Sequence, residues 1–167
     1  MVPTPTPEEI VAHRPSARVV LLDESGRLLL FSARDHKDDS MRWFTAGGGL
    51  ESGESYEQAA LRELREETGL VDVDLGPQIW QGRPWRTVRE GVTYEVTQRY
   101  FLARVPAFEV DTSAFQEVEK AAITGYRWWS VEELEKTSDL LRPAGLPALL
   151  KALLTDGPPS EPVLVDG

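Results

Sequence analysis

The stretch GGLESGESYEQAALRELREETGL, from Gly48 to Leu70, constrains this chain more than any other part of it. It joins a glycine-rich loop to a helix. Ser55 and Gln58 form an S-x-x-Q capping box. Tyr56, Ala60, Leu61 and Leu64 recur at helical spacing and are expected to make the buried stripe. Thr68-Gly69 ends the helix, with Gly69 at the usual left-handed cap position. Six acids (Glu51, Glu54, Glu57, Glu63, Glu66, Glu67) and two arginines (Arg62, Arg65) lie in the stretch. At about 100° per residue, Glu66 and Glu67 lie one turn on from Glu63, so three carboxylates share roughly 100° of arc. Like charges at this spacing repel and weaken a helix. Hard oxygen ligands gathered this way can hold Mg²⁺ or Mn²⁺, which turns the repulsion into shared attraction. Three glutamates alone would equally suit a solvated face. The glycine loop before them, which can bring backbone against a ligand, favours the metal-binding reading, as do Arg62 ahead of the cluster and Gly69 behind it.

The flanks read as one mixed α/β domain. Arg18–Leu22 and Leu28–Ser32 are apolar runs around the turn Asp23-Glu24-Ser25-Gly26, which predicts a β-hairpin. Arg34–Arg42 is polar and reads as a loop, and Trp43–Thr45 as a short strand. Val71–Trp80, Trp85–Arg89 and Thr93–Val105 read as strands, with Glu90-Gly91 as a turn. Ser113–Ala121 suits a helical turn or loop and Tyr126–Trp129 a strand, whose adjacent Trp128 and Trp129 are expected to divide between core and surface. Ser130 with Glu133 caps a helix, and Leu146–Leu154 forms the last one. The proline-rich residues 1–16 read as an N-terminal arm, 17–156 as the domain, and 157–167 as a mobile tail.

Composition excludes several functions. There is no cysteine, hence no disulfide, thiolate metal site or thiol nucleophile. Only two histidines, His13 and His36, are present. No apolar run approaches the roughly 18 residues of a membrane span, and the N-terminus lacks the pattern of a signal peptide, so a cytoplasmic protein with no membrane partner is expected. A net charge of −10 argues against DNA and disfavours a long RNA partner.

Gly48–Leu70 resembles the Nudix box, G-x5-E-x7-R-E-U-x-E-E-x-G-U, where U is a bulky aliphatic residue. Gly48, Glu54, Arg62, Glu63, Leu64, Glu66, Glu67, Gly69 and Leu70 fill every fixed position. The resemblance implies an α/β/α sandwich around a mixed sheet. It also implies metal-dependent hydrolysis of a pyrophosphate bond, water attacking phosphorus, in a nucleoside diphosphate linked to another group. ADP-ribose, a nucleotide sugar or a (d)NTP-like substrate would fit. By resemblance, Glu63, Glu66 and Glu67 would hold Mg²⁺ (or Mn²⁺), joined by the carbonyl of Gly47. Arg62 would orient a ligand carboxylate, and Glu54 would fasten the loop to the helix. A later glutamate, Glu119 in preference to Glu117, would serve as general base or extra ligand. Ala46 stands where many relatives have proline, which would loosen the turn.

The remainder of the substrate needs other residues. In Trp80-Gln81-Gly82-Arg83-Pro84-Trp85-Arg86, Trp85 can stack a base and Arg83 can fork onto phosphate. Arg34 is a further substrate-binding candidate, with Arg42 and Arg99 behind it. Pro84, 15 residues after Gly69, resembles a marker of ADP-ribose-type members. The alternative is a Nudix-fold module that senses nucleotides without turnover. The tryptophan-rich strands leave a homodimer open.

Overall fold

Val19–Leu22 and Leu28–Phe31 are buried without the alternation of a half-exposed strand, so the sheet they form must be covered on both faces. The computed structural model describes residues 11–35, 38–110 and 123–167. The two runs lie in β1 (Val11–Leu22) and β2 (Leu28–Arg34), an antiparallel pair. Asp23 builds their turn: its Oδ1 accepts the Ser25 and Arg27 N–H groups at 2.9 and 2.8 Å, and its Oδ2 accepts Arg27 Nε–H at 2.8 Å.

The other strands are β3 (Met41–Phe44), β4 (Ala46–Gly49), β5 (Gln78–Gly82), β6 (Trp85–Arg89), β7 (Val92–Arg104), β8 (Ile123–Trp129), β9 (Leu140–Leu141) and β10 (Val163–Val165). Among the described residues the sheet runs β10-β5-β7-β1-β2-β3-β9, with β4 on β1, β6 on β7 and β8 on β2. β1 and β7 pair in parallel, from Val11 against Thr93 to Leu22 against Arg104. The mixed sheet carries α1 (Tyr56–Thr68) on one face and α2 (Val131–Lys136) with α3 (Leu146–Asp156) on the other.

Strand parity sorts the core. Ala17, Val19, Leu21, Leu29 and Phe31 pack with Ala59, Ala60 and Leu64 of α1. Val20, Leu22, Leu28 and Leu30 pack with Trp80, Tyr100, Trp129 and the leucines of α2 and α3. Both capping boxes form, Ser55 with Gln58 and Ser130 with Glu133, and Gly69 ends α1 at φ 81°.

Several expectations change. The buried face of α1 is Ala59, Ala60, Glu63, Leu64, Glu67 and Thr68, while Leu61 is 39% exposed. The helix is turned so that two glutamates, and not Leu61, face the protein. Of the expected Val71–Trp80 strand only Gln78–Trp80 lies in β5, which runs on to Gly82; Asp72 takes a left-handed φ of 57° and interrupts extended chain. β1 starts at Val11, within the expected arm, where β7 supplies backbone partners. The tail is not loose: β10 pairs in parallel with β5, Val165 is buried, and the Arg83 N–H donates to its carbonyl. Trp128 and Trp129 do take opposite faces, but helices and loops cover both. Trp129 meets Trp43 edge-on at 4.9 Å, and Trp128 meets Phe108 at 5.7 Å. No helix among the described residues is long and apolar enough to cross a membrane.

Candidate active site

The glycines of β4 let α1 and β1 close on one another. Gly47 has φ 137°, and a Cβ there would stand 2.1 Å from the Ala17 carbonyl oxygen. A Cβ on Gly48 would stand 2.6 Å from Glu63 Oε1. A side chain at Gly47 would press on the β1 backbone, and one at Gly48 would push the Glu63 carboxylate off the strand. Glu67, almost fully buried, accepts the Gly47 N–H on Oε1 at 2.8 Å. From β1, the Arg18 guanidinium donates to the Thr45 and Gly47 carbonyls at 3.1 and 3.2 Å.

Arg62 ties loop to helix. It forks onto Glu54 through Nε (2.8 Å) and Nη2 (2.9 Å), and Nη2 also donates to the Gly49 carbonyl at 2.9 Å. Its Nη1 donates to Glu63 Oε1 at 3.0 Å and to Glu66 Oε2 at 3.4 Å. Glu54 Oε1 in turn accepts the Glu51 N–H at 2.8 Å. The Arg62 fork, helped by the Glu51 N–H, holds the Glu54 carboxyl down to about 2. The same bonds push the Arg62 guanidinium further up from its ordinary value. Charge-assisted pairs of this kind fix geometry as well as charge.

Beside these groups opens a cleft of about 540 Å³. Gly47, Gly48, Gly49, Glu63 and Glu67 line it, as do Arg18, Arg42, Arg142, Trp85, Gln98 and Tyr100. One cleft therefore holds both carboxylates, suited to a hard cation, and guanidinium groups, suited to phosphate oxygens.

The structure brings Gly47, Glu63, Glu67 and Trp85 of the sequence-derived candidates to the cleft, with Arg42 beside them. Arg62 stands behind Glu63. Glu66 does not line the cleft, and among the described residues no three acidic or histidine side chains converge as one metal cluster. Helix spacing puts the three carboxylates on one arc; Glu63 and Glu67 line the cleft, and Arg62 Nη1 holds both Glu63 and Glu66. Arg34 pairs with Asp39 at 3.1 Å beside a neighbouring groove, and Arg83 pairs with Asp166 at 3.1 Å; neither lines the cleft. Arg99 stacks on Tyr56 at 4.0 Å. Glu117 and Glu119 lie outside the described residues. Sequence reasoning missed Arg18, Arg142, Gln98 and Tyr100, because each reaches the cleft through strand register or chain return and carries no local motif.

Comparison with known proteins agrees with this architecture. The NUDIX domain family model matches residues 12–149. An RNA pyrophosphohydrolase of Roseobacter denitrificans is 30% identical over 149 residues, covering 77% of this chain and 85% of the relative. Two solved structures share the fold. One is the dihydroneopterin triphosphate pyrophosphohydrolase of E. coli (TM-score 0.61, 18% identity, 87% of this chain and 99% of that one). The other is a MutT protein of Methanosarcina mazei Go1 (TM-score 0.59, 20% identity, 90% and 98%).

The Roseobacter relative corrects the expectation that RNA is disfavoured. A protein matched over most of its length is named for RNA, so the chain total of −10 does not decide the partner. The cleft lining carries three arginines and two glutamates. The complete box on α1, the family match across most of the chain and the shared fold have one meaning: this chain belongs to the Nudix family and is a Nudix pyrophosphohydrolase.

Proposed function

We propose that the cleft hydrolyses a phosphoanhydride bond in a nucleoside polyphosphate, or in a nucleoside diphosphate linked to a further group, with a divalent metal ion. The nucleotide is either free or the 5′ end of an RNA chain; the name of the Roseobacter relative supports including the latter. One observation carries the reading: buried Glu63 and Glu67 face the same cleft as Arg18, Arg42 and Arg142.

Nudix hydrolases use divalent metal ions, and this donor set fits one. Glu63 and Glu67 offer hard carboxylate oxygens, next to a glycine strand that leaves them room. They would hold Mg²⁺ or Mn²⁺, with Glu66 and the Gly47 carbonyl as further oxygen donors. When bound, the ion neutralises phosphate charge and acidifies a coordinated water.

The chain's own residues supply the rest. Arg62 sets the Glu63 carboxylate through a 3.0 Å bond. Arg18, Arg42 and Arg142 bind phosphate oxygens, and Trp85 stacks the base. Glu119 accepts the proton of the attacking water. The water oxygen bonds to phosphorus while the bridging P–O bond breaks, and the bridging oxygen leaves on the other phosphate. One water is consumed and a proton is released.

The test is a panel of nucleoside triphosphates, ADP-ribose, nucleotide sugars and a 5′-triphosphorylated oligonucleotide with Mg²⁺ or Mn²⁺. Turnover should vanish with chelator. Glu67→Gln keeps an oxygen for the Gly47 N–H but removes the charge, and should lower turnover by orders of magnitude while melting like wild type. Chelator-resistant turnover, or full activity in Glu67→Gln, refutes the reading.

A further inference from the structure

We propose that Gln98, oriented by Tyr100, selects nucleobases carrying an exocyclic keto oxygen over those carrying an amine at the same place. The inference rests on the nucleotide substrate proposed above and names the chemistry that chooses its base.

Gln98 and Tyr100 sit two residues apart on β7, pointing to the same face, and both line the cleft. Gln98 is 8% exposed. The Tyr100 hydroxyl donates to Gln98 Oε1 at 2.6 Å. That oxygen is the only acceptor this buried phenol has among the described residues. A flipped amide would leave the phenol hydrogen unpaired, which fixes which end of the amide faces Tyr100. The Gln81 amide donates to the Gln98 backbone carbonyl at 3.2 Å and steadies the strand beneath.

The other end, Nε2, has no partner among the described residues. It is nonetheless open to solvent, since the sealed, unpartnered side-chain atoms among them are Trp128 Nε1 and Trp129 Nε1. Gln98 lines the cleft, where Gly167 stands close against the Oε1 end of its amide and the Tyr100 hydroxyl. Gln98 thus offers the cleft a donor whose own acceptor is already used. Burial raises the Tyr100 phenol to about 12, so the hydroxyl stays a donor throughout the neutral range.

Its place suits a base. Ser16 pairs with Gly49 on one side and Gln98 on the other, so Gln98 lies two strand spacings, roughly 10 Å, from the glycine strand. Ribose and phosphates fill that interval. Trp85, opposite Val96 on β6, presents its half-exposed ring on the Gln98 side. A keto oxygen accepts from Nε2; an amine there sets donor against donor.

The test compares isosteric pairs, ITP with ATP and UTP with CTP, as ratios of kcat/KM within one preparation, which cancels any difference in folded fraction. Wild type should favour the keto member about tenfold, the effect of one directed hydrogen bond and its donor clash. Gln98→Glu should reverse the preference, because one carboxylate oxygen accepts from Tyr100 and the other from the base amine. Tyr100→Phe frees the amide to turn and should bring the ratio towards one. Calorimetric binding of ITP and ATP in chelator repeats the comparison without turnover. A wild-type ratio near one overturns the inference and leaves the hydrolase reading standing, as does keto preference surviving in Gln98→Glu. Keto-selective binding with no turnover on any substrate supports Gln98 and overturns the hydrolase reading. An unchanged ratio in Tyr100→Phe overturns the positioning role of Tyr100.

Discussion

Replacing Gly48 with alanine puts a methyl group where the Glu63 carboxylate now lies. The new Cβ would stand 2.6 Å from Oε1 and 2.7 Å from the carboxyl carbon. Ordinary contact begins at 3.4 Å, so the carboxylate must retreat by about 0.8 Å. Gly48 is not among the glycines with positive φ, so alanine adopts its backbone without strain. The obstructing atoms are the end of a flexible side chain. The fold should therefore survive with a change of about 1 kcal/mol or less, since the gain from a stiffer unfolded chain offsets part of the crowding. That corresponds to a Tm shift of about 2–4 °C at this size. The bond from Arg62 Nη1 to Glu63 is displaced with the carboxylate. A misplacement near 1 Å in a catalytic group costs on the order of 100-fold, so kcat/KM should fall by about that factor. Gly47→Ala should do the reverse. Its Cβ meets the Ala17 carbonyl at 2.1 Å from a φ of 137°, and backbone cannot step aside as a side chain can. The expected cost is about 2–5 kcal/mol of stability. Metal-activated hydrolysis and thermal unfolding on the two variants check both halves. Wild-type kcat/KM in Gly48→Ala, or a wild-type Tm in Gly47→Ala, refutes the reasoning.

Acid should weaken the fold through Glu54. Arg62 holds that carboxyl at about 2, below its ordinary 4.5, so the pair supports the folded state above pH 4.5 and loses this support as pH falls towards 2. Urea midpoints of wild type and Glu54→Gln should converge across that window, and parallel curves would contradict it. Asp23→Ala removes three hydrogen bonds from a fully buried carboxylate at the β1–β2 turn and should cost about 1–3 kcal/mol, read by urea unfolding; a cost near zero shows that the turn holds without it. Truncation after Pro162 deletes β10 and the buried Val165, so stability should drop by at least about 1.5 kcal/mol; an unchanged Tm would mean the parallel pairing with β5 contributes nothing.

The sequence by itself determined what is local. The two capping boxes, the left-handed Gly69 and the hairpin of the Arg18–Leu22 and Leu28–Ser32 runs around the Asp23 turn each depend on residues a few positions apart, and each stands in the structure where spacing puts it. The acidic helix and its glycine loop were legible for the same reason: one turn of helix is a property of i, i+3 and i+4. Tertiary structure alone decided that Leu61 faces solvent while Glu63 and Glu67 face the protein, because only the sheet says which way α1 is turned. It decided that β10 closes the sheet on β5, and that Glu66 lies with Arg62 while two of the three carboxylates meet the cleft. It also delivered Arg18, Gln98, Tyr100 and Arg142 to one cavity. Their meeting depends on strand register and on chain return across many tens of residues. Side-chain periodicity shows which face a strand buries, but it carries no information about which strand lies next to it or at what offset.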